Sequence, residues 1–313
     1  MADSLVGRRR KSSGLVGVLV VDKPRGVTSH DVVQRVRREL NEPRVGHAGT
    51  LDPMATGVLV VMVGEATKLA PFLTADDKSY RAEVQLGKST DTLDAEGETR
   101  QQAPLPAWWT TEGADATIVE ALVAERMRRT QSPPVYSAIK IDGRSAHARV
   151  RAGEDVDLAE RPIAVRTLDL ESRDVDGGRL TLTMTVSKGY YVRALARDLG
   201  ERLDVPCHLC ALRRTASGVF TLDEALTADE CSAERLIDVA TAASRALPTA
   251  QLTADGVVRA RHGGPMSDDD FATVPPMHTP SAWLAPDGAL IAIGRGEEDG
   301  PHVSRGFVAP EGA

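Results

Sequence analysis

The chain has 313 residues, 42% hydrophobic and 27% charged, the composition of a soluble globular protein with one large domain and a smaller one. No apolar run approaches the roughly 20 residues that cross a bilayer, and residues 15–21 are too short for a secretory leader, which predicts a cytoplasmic protein. A net charge of −7 weighs against a surface coated in nucleic acid, but Arg35, Arg37 and Arg38, Arg126, Arg128 and Arg129, and Arg213 and Arg214 are clustered, so the mean charge does not decide the partner.

Residues 1–13 are polar and basic and predict a disordered tail. Residues 15–21 are β-rich and end at Lys23 and Pro24, predicting a buried strand that runs into a loop. Thr28 or Ser29 can cap a helix with Val32, Val33, Val36 and Leu40 on one face. Residues 58–63 predict a second buried strand, with a short helix around 65–72. Tyr80, Ala82, Val84 and Leu86 alternate with Arg81, Glu83 and Gln85, the period-two mark of a half-buried strand. Residues 118–127 read as a helix, 135–141 and 163–170 as strands, and the polar stretch 142–161 as a mobile loop.

Leu180, Leu182, Met184 and Val186 alternate with threonines, the clearest strand pattern in the chain. Residues 190–203 predict a helix with Val192, Leu195, Leu199 and Leu203 on one face. Cys207 and Cys210 form a CxxC, open to a zinc or redox reading; only Cys231 remains, and a structural zinc site wants four ligands, so incidental thiols are the plainer reading. Composition shifts at Leu247–Pro248 toward Gly, Pro and Asp, predicting a small β domain over 249–313 after a large one over 14–248. Strands outnumber helices without alternating with them, which predicts an α+β fold with a mixed or antiparallel sheet.

Between the first two predicted strands lies RVGHAGTLDPMATG, residues 44–57. Three glycines and a proline there predict a tight loop rather than regular structure. It carries one carboxylate (Asp52), one imidazole (His47) and one guanidinium, and loops held by a rigid scaffold are where catalytic groups sit. Taken alone, the segment also fits a turn in which Asp52 hydrogen-bonds its own backbone.

Residues 46–59, GHAGTLDPMATGVL, resemble the signature loop of the TruB family of pseudouridine synthases, in which the aspartate is the nucleophile. Further segments resemble the family in the same order: VDKPRGVTS (21–29), GEATK (64–68), KSY (78–80), QSPPVYSAIK (131–140), SKGYYVR (187–193) and LRR (212–214). The resemblance implies a pseudouridine-synthase fold with a mixed, mainly antiparallel central sheet and a PUA-like C-terminal domain. It implies uridine 55 in the T-loop of tRNA as substrate, an RNA-gripping thumb at about 130–160, and no metal, cofactor or protein partner for a monomeric enzyme.

By the same resemblance Asp52 is the nucleophile, Arg193 its ion-pair partner, Tyr80 the stacking partner of a flipped base and Tyr191 the ring beside the sugar. His47 helps displace the base, Leu212 lines the uracil pocket, and Lys23 belongs to the substrate-binding set. The chemistry agrees with the residues. Moving uracil from its N1 to its C5 bond involves no redox change, the chain has no P-loop or GxGxxG, and a flipped base wants an aromatic face. The sequence leaves open whether Asp52 attacks C1′ or the uracil ring, or deprotonates C2′. Relatives commonly carry a tyrosine in the thumb where this chain reads RSAHAR (144–149).

Three rival readings carry less. A non-catalytic tRNA-binding module has no use for Asp52, Tyr191 and Arg193 together. A guide-RNA-dependent synthase does not need the thumb-like QSPPVYSAIK. A glycoside hydrolase normally needs a second carboxylate as acid, and none stands out at comparable motif strength.

Overall fold

The computed structural model describes residues 12–307 except Ala138 and Asp142. In chain order the main elements are β1 (Gly17–Lys23), α1 (Ser29–Glu39), β2 (Val45–Ala48), β3 (Thr56–Val63), β4 (Lys78–Leu86), α2 (Ala114–Arg126), β5 (Val165–Asp174), β6 (Arg179–Val186), α3 (Val192–Leu203), β7 (Cys207–Ser217) and α4 (Val239–Ala246). The C-terminal part adds β8 (Thr249–Leu252), α5 (Ala254–His262), β9 (Phe271–Thr273), β10 (Ser281–Leu284), β11 (Leu290–Glu297) and β12 (Gly300–Gly306).

The apolar runs of β1 and β3 are buried on both faces, which is why they do not alternate. Val18, Val20, Val58, Val60 and Met62 face one cluster, and Leu19, Val21, Leu59, Val61 and Val63 face another built on Val32, Val33 and Val36 of α1. Helix α1 begins where the sequence places it: Thr28 accepts from Asp31 N–H and Asp31 returns the bond, a capping box.

The main sheet runs β1–β3–β7–β4–β6–β5. All these pairs are antiparallel except β7 with β3, which touch in parallel at Arg213–Thr56 and Arg214–Gly57. Strand β1 lines one edge of β3, and the other edge is shared, β7 at its start and β2 at its end. The loop 49–55 fills the gap between β2 and β7. At the far side of the sheet Ala82, Val84, Leu182 and Met184 pack on Ile118 and Leu122 of α2 and Leu195 and Leu199 of α3.

A two-stranded stem, Thr130–Gln131 against Arg161–Pro162, closes the segment between α2 and β5. Beyond it Lys140–Ile141 pairs with Arg144–Ser145, and Ala146–Arg151 is helical. The C-terminal β-rich domain is a five-stranded sheet in the order β9–β8–β10–β11–β12. Its Ala282, Leu290 and Ile293, with Phe307, share a hydrophobic cluster with Val18 and Val60 of the main body.

The structure departs from the sequence expectations in particular stretches. Residues 44–57 are not all loop, because Val45 to Ala48 pair with Val63 to Val60 despite Gly46. Residues 135–139 form no strand: Pro133 and Pro134 withhold donors, and the Tyr136 carbonyl is spent on Arg193. Strand β7 went unseen because polar His208, Arg213 and Arg214 and register shifts near Leu209 and Arg214 hide its alternation. The stretch 142–161 contains a helix, whereas the C-terminal part is β-rich as expected, with α5 beside its strands. Of the tail placed at 1–13, residues 1–11 lie outside the described residues, while Ser12 and Ser13 both donate to Glu42.

Candidate active site

Loop 49–55 is held from behind by three buried side chains. Lys23, fully buried, donates to the carbonyls of Pro24 (3.0 Å), Val27 (2.7 Å) and Pro53 (3.3 Å). Ser29 Oγ accepts from Leu51 N–H (2.9 Å) and donates to its carbonyl (3.1 Å). Arg214 donates from Nε to Val58 O (2.6 Å) and from Nη2 to Gly49 O (3.0 Å), tying the start of the loop to β3. Gly49 sits at φ +87° and Gly57 at φ +102°, where a side chain would be strained. A Cβ on Gly57 would fall on the Arg214 carbonyl oxygen, so glycine is what lets β7 approach β3 there.

Leu51, Met54 and Ala55 are buried, while Asp52 is part-exposed and is the loop's one carboxylate in the cavity lining. Its carboxylate meets Arg193 side-on, Nε 2.9 Å from Oδ2 and Nη2 3.2 Å from Oδ1. A bidentate pair fixes geometry as well as charge. Arg193, on the first turn of α3, is 8% exposed and also donates to Thr92 O (3.2 Å) and Tyr136 O (3.0 Å). A second carboxylate, Asp94, lies 3.7 Å from Arg193 Nε and is itself held by Thr92 Oγ1 (2.6 Å) and Glu96 N–H (3.1 Å).

Asp52 and Arg193 line a cavity of about 280 Å³ together with Tyr80, Tyr191, Leu212, Lys78 and Arg214. Tyr80 and Lys78 are two apart on β4, Leu212 comes from β7, and Tyr191 is the N-cap residue of α3 rather than part of its face. Burial pushes the Tyr191 hydroxyl above the usual tyrosine value. Burial also pushes the Lys78 ammonium down to about 8, although it donates to Thr74 O (2.8 Å) and Asp76 O (2.5 Å). The cavity thus joins one carboxylate, its fixed counter-ion, the tyrosines Tyr80, Tyr190 and Tyr191, and the apolar Leu212.

Five of the seven residues named from sequence meet there: Asp52, Tyr80, Tyr191, Arg193 and Leu212. Lys23 sits behind the loop with its ammonium turned to carbonyls, away from the cavity lining. His47 lies on β2, half-buried and outside the lining, its pKa lowered by burial and by the charge of Arg214. Sequence reasoning gave no role to Asp94, Lys78 or Arg214. Lys78 and Arg214 stand in quoted motifs, and Asp94 had no local signal because its partner is distant in the chain. The CxxC lies along β7, where burial pushes Cys207 up to about 12 and both thiols donate to carbonyls, of Val205 and Glu83 (3.3 Å each). Among the described residues no group of three or more His, Cys, Asp or Glu is placed to hold a metal ion.

The fold is that of solved Cbf5 structures. A Cbf5–Nop10–Gar1 complex aligns with TM-score 0.71 at 23% identity over 94% of this chain and 84% of that one. An H/ACA RNP bound to a substrate RNA containing 2′-deoxyuridine aligns with TM-score 0.70 at 22% identity, over 94% and 86%. Residues 37–192 match the N-terminal domain of the TruB family pseudouridylate synthases. The tRNA pseudouridine synthase B of Arthrobacter sp. (strain FB24) is 44% identical over 89% of this chain and 92% of its own length. That of Cereibacter sphaeroides (strain ATCC 17023) is 41% identical over 96% and 99%. The chain belongs to the TruB family of pseudouridylate synthases.

Proposed function

We propose that the chain isomerises uridine 55 in the T-loop of tRNA to pseudouridine, with Asp52 as the nucleophile and Arg193 as its fixed counter-ion. Membership of the TruB family makes it a pseudouridine-forming isomerase acting on tRNA. The observation that carries the residue assignment is the bidentate Asp52–Arg193 pair at the wall of a cavity shared with Tyr80, Tyr191 and Leu212.

The target uridine leaves its stack and enters the cavity with its ring against Tyr80, beside Leu212. Asp52, kept in one orientation by Arg193, attacks, and the C1′–N1 bond breaks. The uracil turns, a C1′–C5 bond forms, and the bond to Asp52 breaks to return the free carboxylate. The proton lost from C5 is matched by the one gained at N1, so the balance needs no oxidant, reductant or metal. Tyr191, with a hydroxyl that holds its proton strongly, lies beside the sugar. His47, on β2 and outside the cavity lining, acts on the RNA rather than on the bond being broken. Lys23 acts on substrate only indirectly, by holding Pro53.

Residues 14–248 form the catalytic domain in this reading, with the 130–160 segment as thumb and 249–313 as a PUA-like module. The enzyme acts as a monomer in the cytoplasm without a protein partner. The stem at Thr130–Gln131 and Arg161–Pro162 closes the base of the thumb.

The test is conversion of an unmodified tRNA transcript by the purified chain alone, mapped base by base. Pseudouridine at position 55 only, absent when position 55 is cytidine, is the expected result. Conversion elsewhere contradicts the substrate assignment, and no conversion without added protein contradicts solitary action.

A further inference from the structure

The thumb's first residues lie along the start of α3. Gln131, 1% exposed, turns its carboxamide onto the backbone of Tyr191: Oε1 accepts from Tyr191 N–H (2.9 Å) and Nε2 donates to Tyr191 O (3.3 Å). Two more contacts follow in step. The Ser132 carbonyl accepts from Arg197 Nη2 (3.1 Å), and the Tyr136 carbonyl accepts from Arg193 Nη2 (3.0 Å).

Tyr191 needs such a hold. It stands at the N-cap of α3 in extended geometry (φ −106°, ψ 109°) and makes no side-chain cap bond. At that position the helix fixes the carbonyl but not the amide, and a rotation there swings the ring. A buried carboxamide that bonds both backbone groups removes that freedom. Gln131 is also half of the stem that closes the thumb, paired with Arg161.

We propose that Gln131 is a positioning residue for the reaction: it ties the thumb stem to Tyr191 and thereby sets where the Tyr191 ring stands in the cavity. This rests on the isomerase reading above. Gln131 touches no substrate and acts only through Tyr191.

The chain has four tyrosines, Tyr80, Tyr136, Tyr190 and Tyr191. The full-length protein labelled with 3-fluorotyrosine therefore gives four fluorine resonances, assignable by single Tyr→Phe changes. In Gln131→Met the Tyr191 resonance is expected to shift or split while those of Tyr80 and Tyr190 stay in place. The single-turnover rate on a tRNA transcript is expected to fall roughly ten- to a hundredfold, the scale of a small misplacement of a reacting group, with tRNA affinity nearly unchanged. Gln131→Glu keeps the acceptor for Tyr191 N–H and loses the donor, and is expected to show a smaller shift and a several-fold loss. It also serves if the Met variant does not fold. A wild-type rate with an unmoved Tyr191 resonance in either folded variant overturns the proposal, as does a common shift of all four resonances. If the unmutated protein makes no pseudouridine, the isomerase reading fails, while the fluorine spectra still test the Gln131–Tyr191 link.

Discussion

Arg193 presents its Nε and Nη2 edge to Asp52, with the two contacts at 2.9 and 3.2 Å, and also donates to the carbonyls of Thr92 and Tyr136. Three separate segments, around Asp52, Thr92 to Asp94 and Tyr136, therefore grip Arg193, and the guanidinium can hardly turn without breaking several contacts at once. Lysine keeps the charge but has no fork to match this arrangement. Arg193→Lys is expected to lower the single-turnover rate by about a hundredfold or more, the scale of losing one preorganised electrostatic contact, with tRNA affinity little changed. Rapid-quench assays beside filter binding separate the two; a loss confined to affinity would place Arg193 in RNA binding alone.

Two glycines with positive φ separate backbone strain from crowding. Gly26 (φ +86°) has open space where a Cβ would go, whereas a Cβ on Gly57 (φ +102°) would strike the Arg214 carbonyl and stand 2.8 Å from its amide nitrogen. Gly26→Ala is expected to cost about 1 kcal/mol, from strain alone. Gly57→Ala adds overpacking, about 3–5 kcal/mol in total, and prises β7 from β3. Urea denaturation gives both values; equal costs would mean that the β3–β7 approach is not tight.

Lys78 gives the protein a pH signature. Its folded-state pKa, about 8, lies below the usual 10.5, so between those values the unfolded chain binds the extra proton. Stability contributed by this group therefore rises with pH across that window and is flat well below it. Relative to Lys78→Met, the wild type is expected to gain up to about 3 kcal/mol between pH 8 and 10.5. Denaturation of both proteins at several pH values measures this; a difference that does not change with pH would show that Lys78 titrates normally.

Much of this was legible in the sequence where one local pattern suffices. The capping box at Thr28, the alternation of β4 and β6 and the unbroken apolar runs of β1 and β3 each follow from spacing. The association of Asp52 with Arg193, 141 positions apart, came from motif resemblance and not from any spacing rule. What stayed hidden depends on tertiary context. Strand β7 is polar in sequence because Arg214 is buried against carbonyls rather than apolar side chains. Asp94 gains its place only through Arg193, and Lys23, read as a substrate contact, has its charge absorbed by three carbonyls behind the loop.

The most direct test removes the charge of Asp52 and little else. Asp52→Asn preserves shape and leaves the buried clasp of Lys23, Ser29 and Arg214 around the loop intact. Single-turnover conversion of a tRNA transcript, mapped at position 55 beside a binding assay, should show pseudouridine formation abolished and tRNA affinity largely kept. Wild-type conversion by the Asn variant would contradict the assignment of Asp52 as the nucleophile.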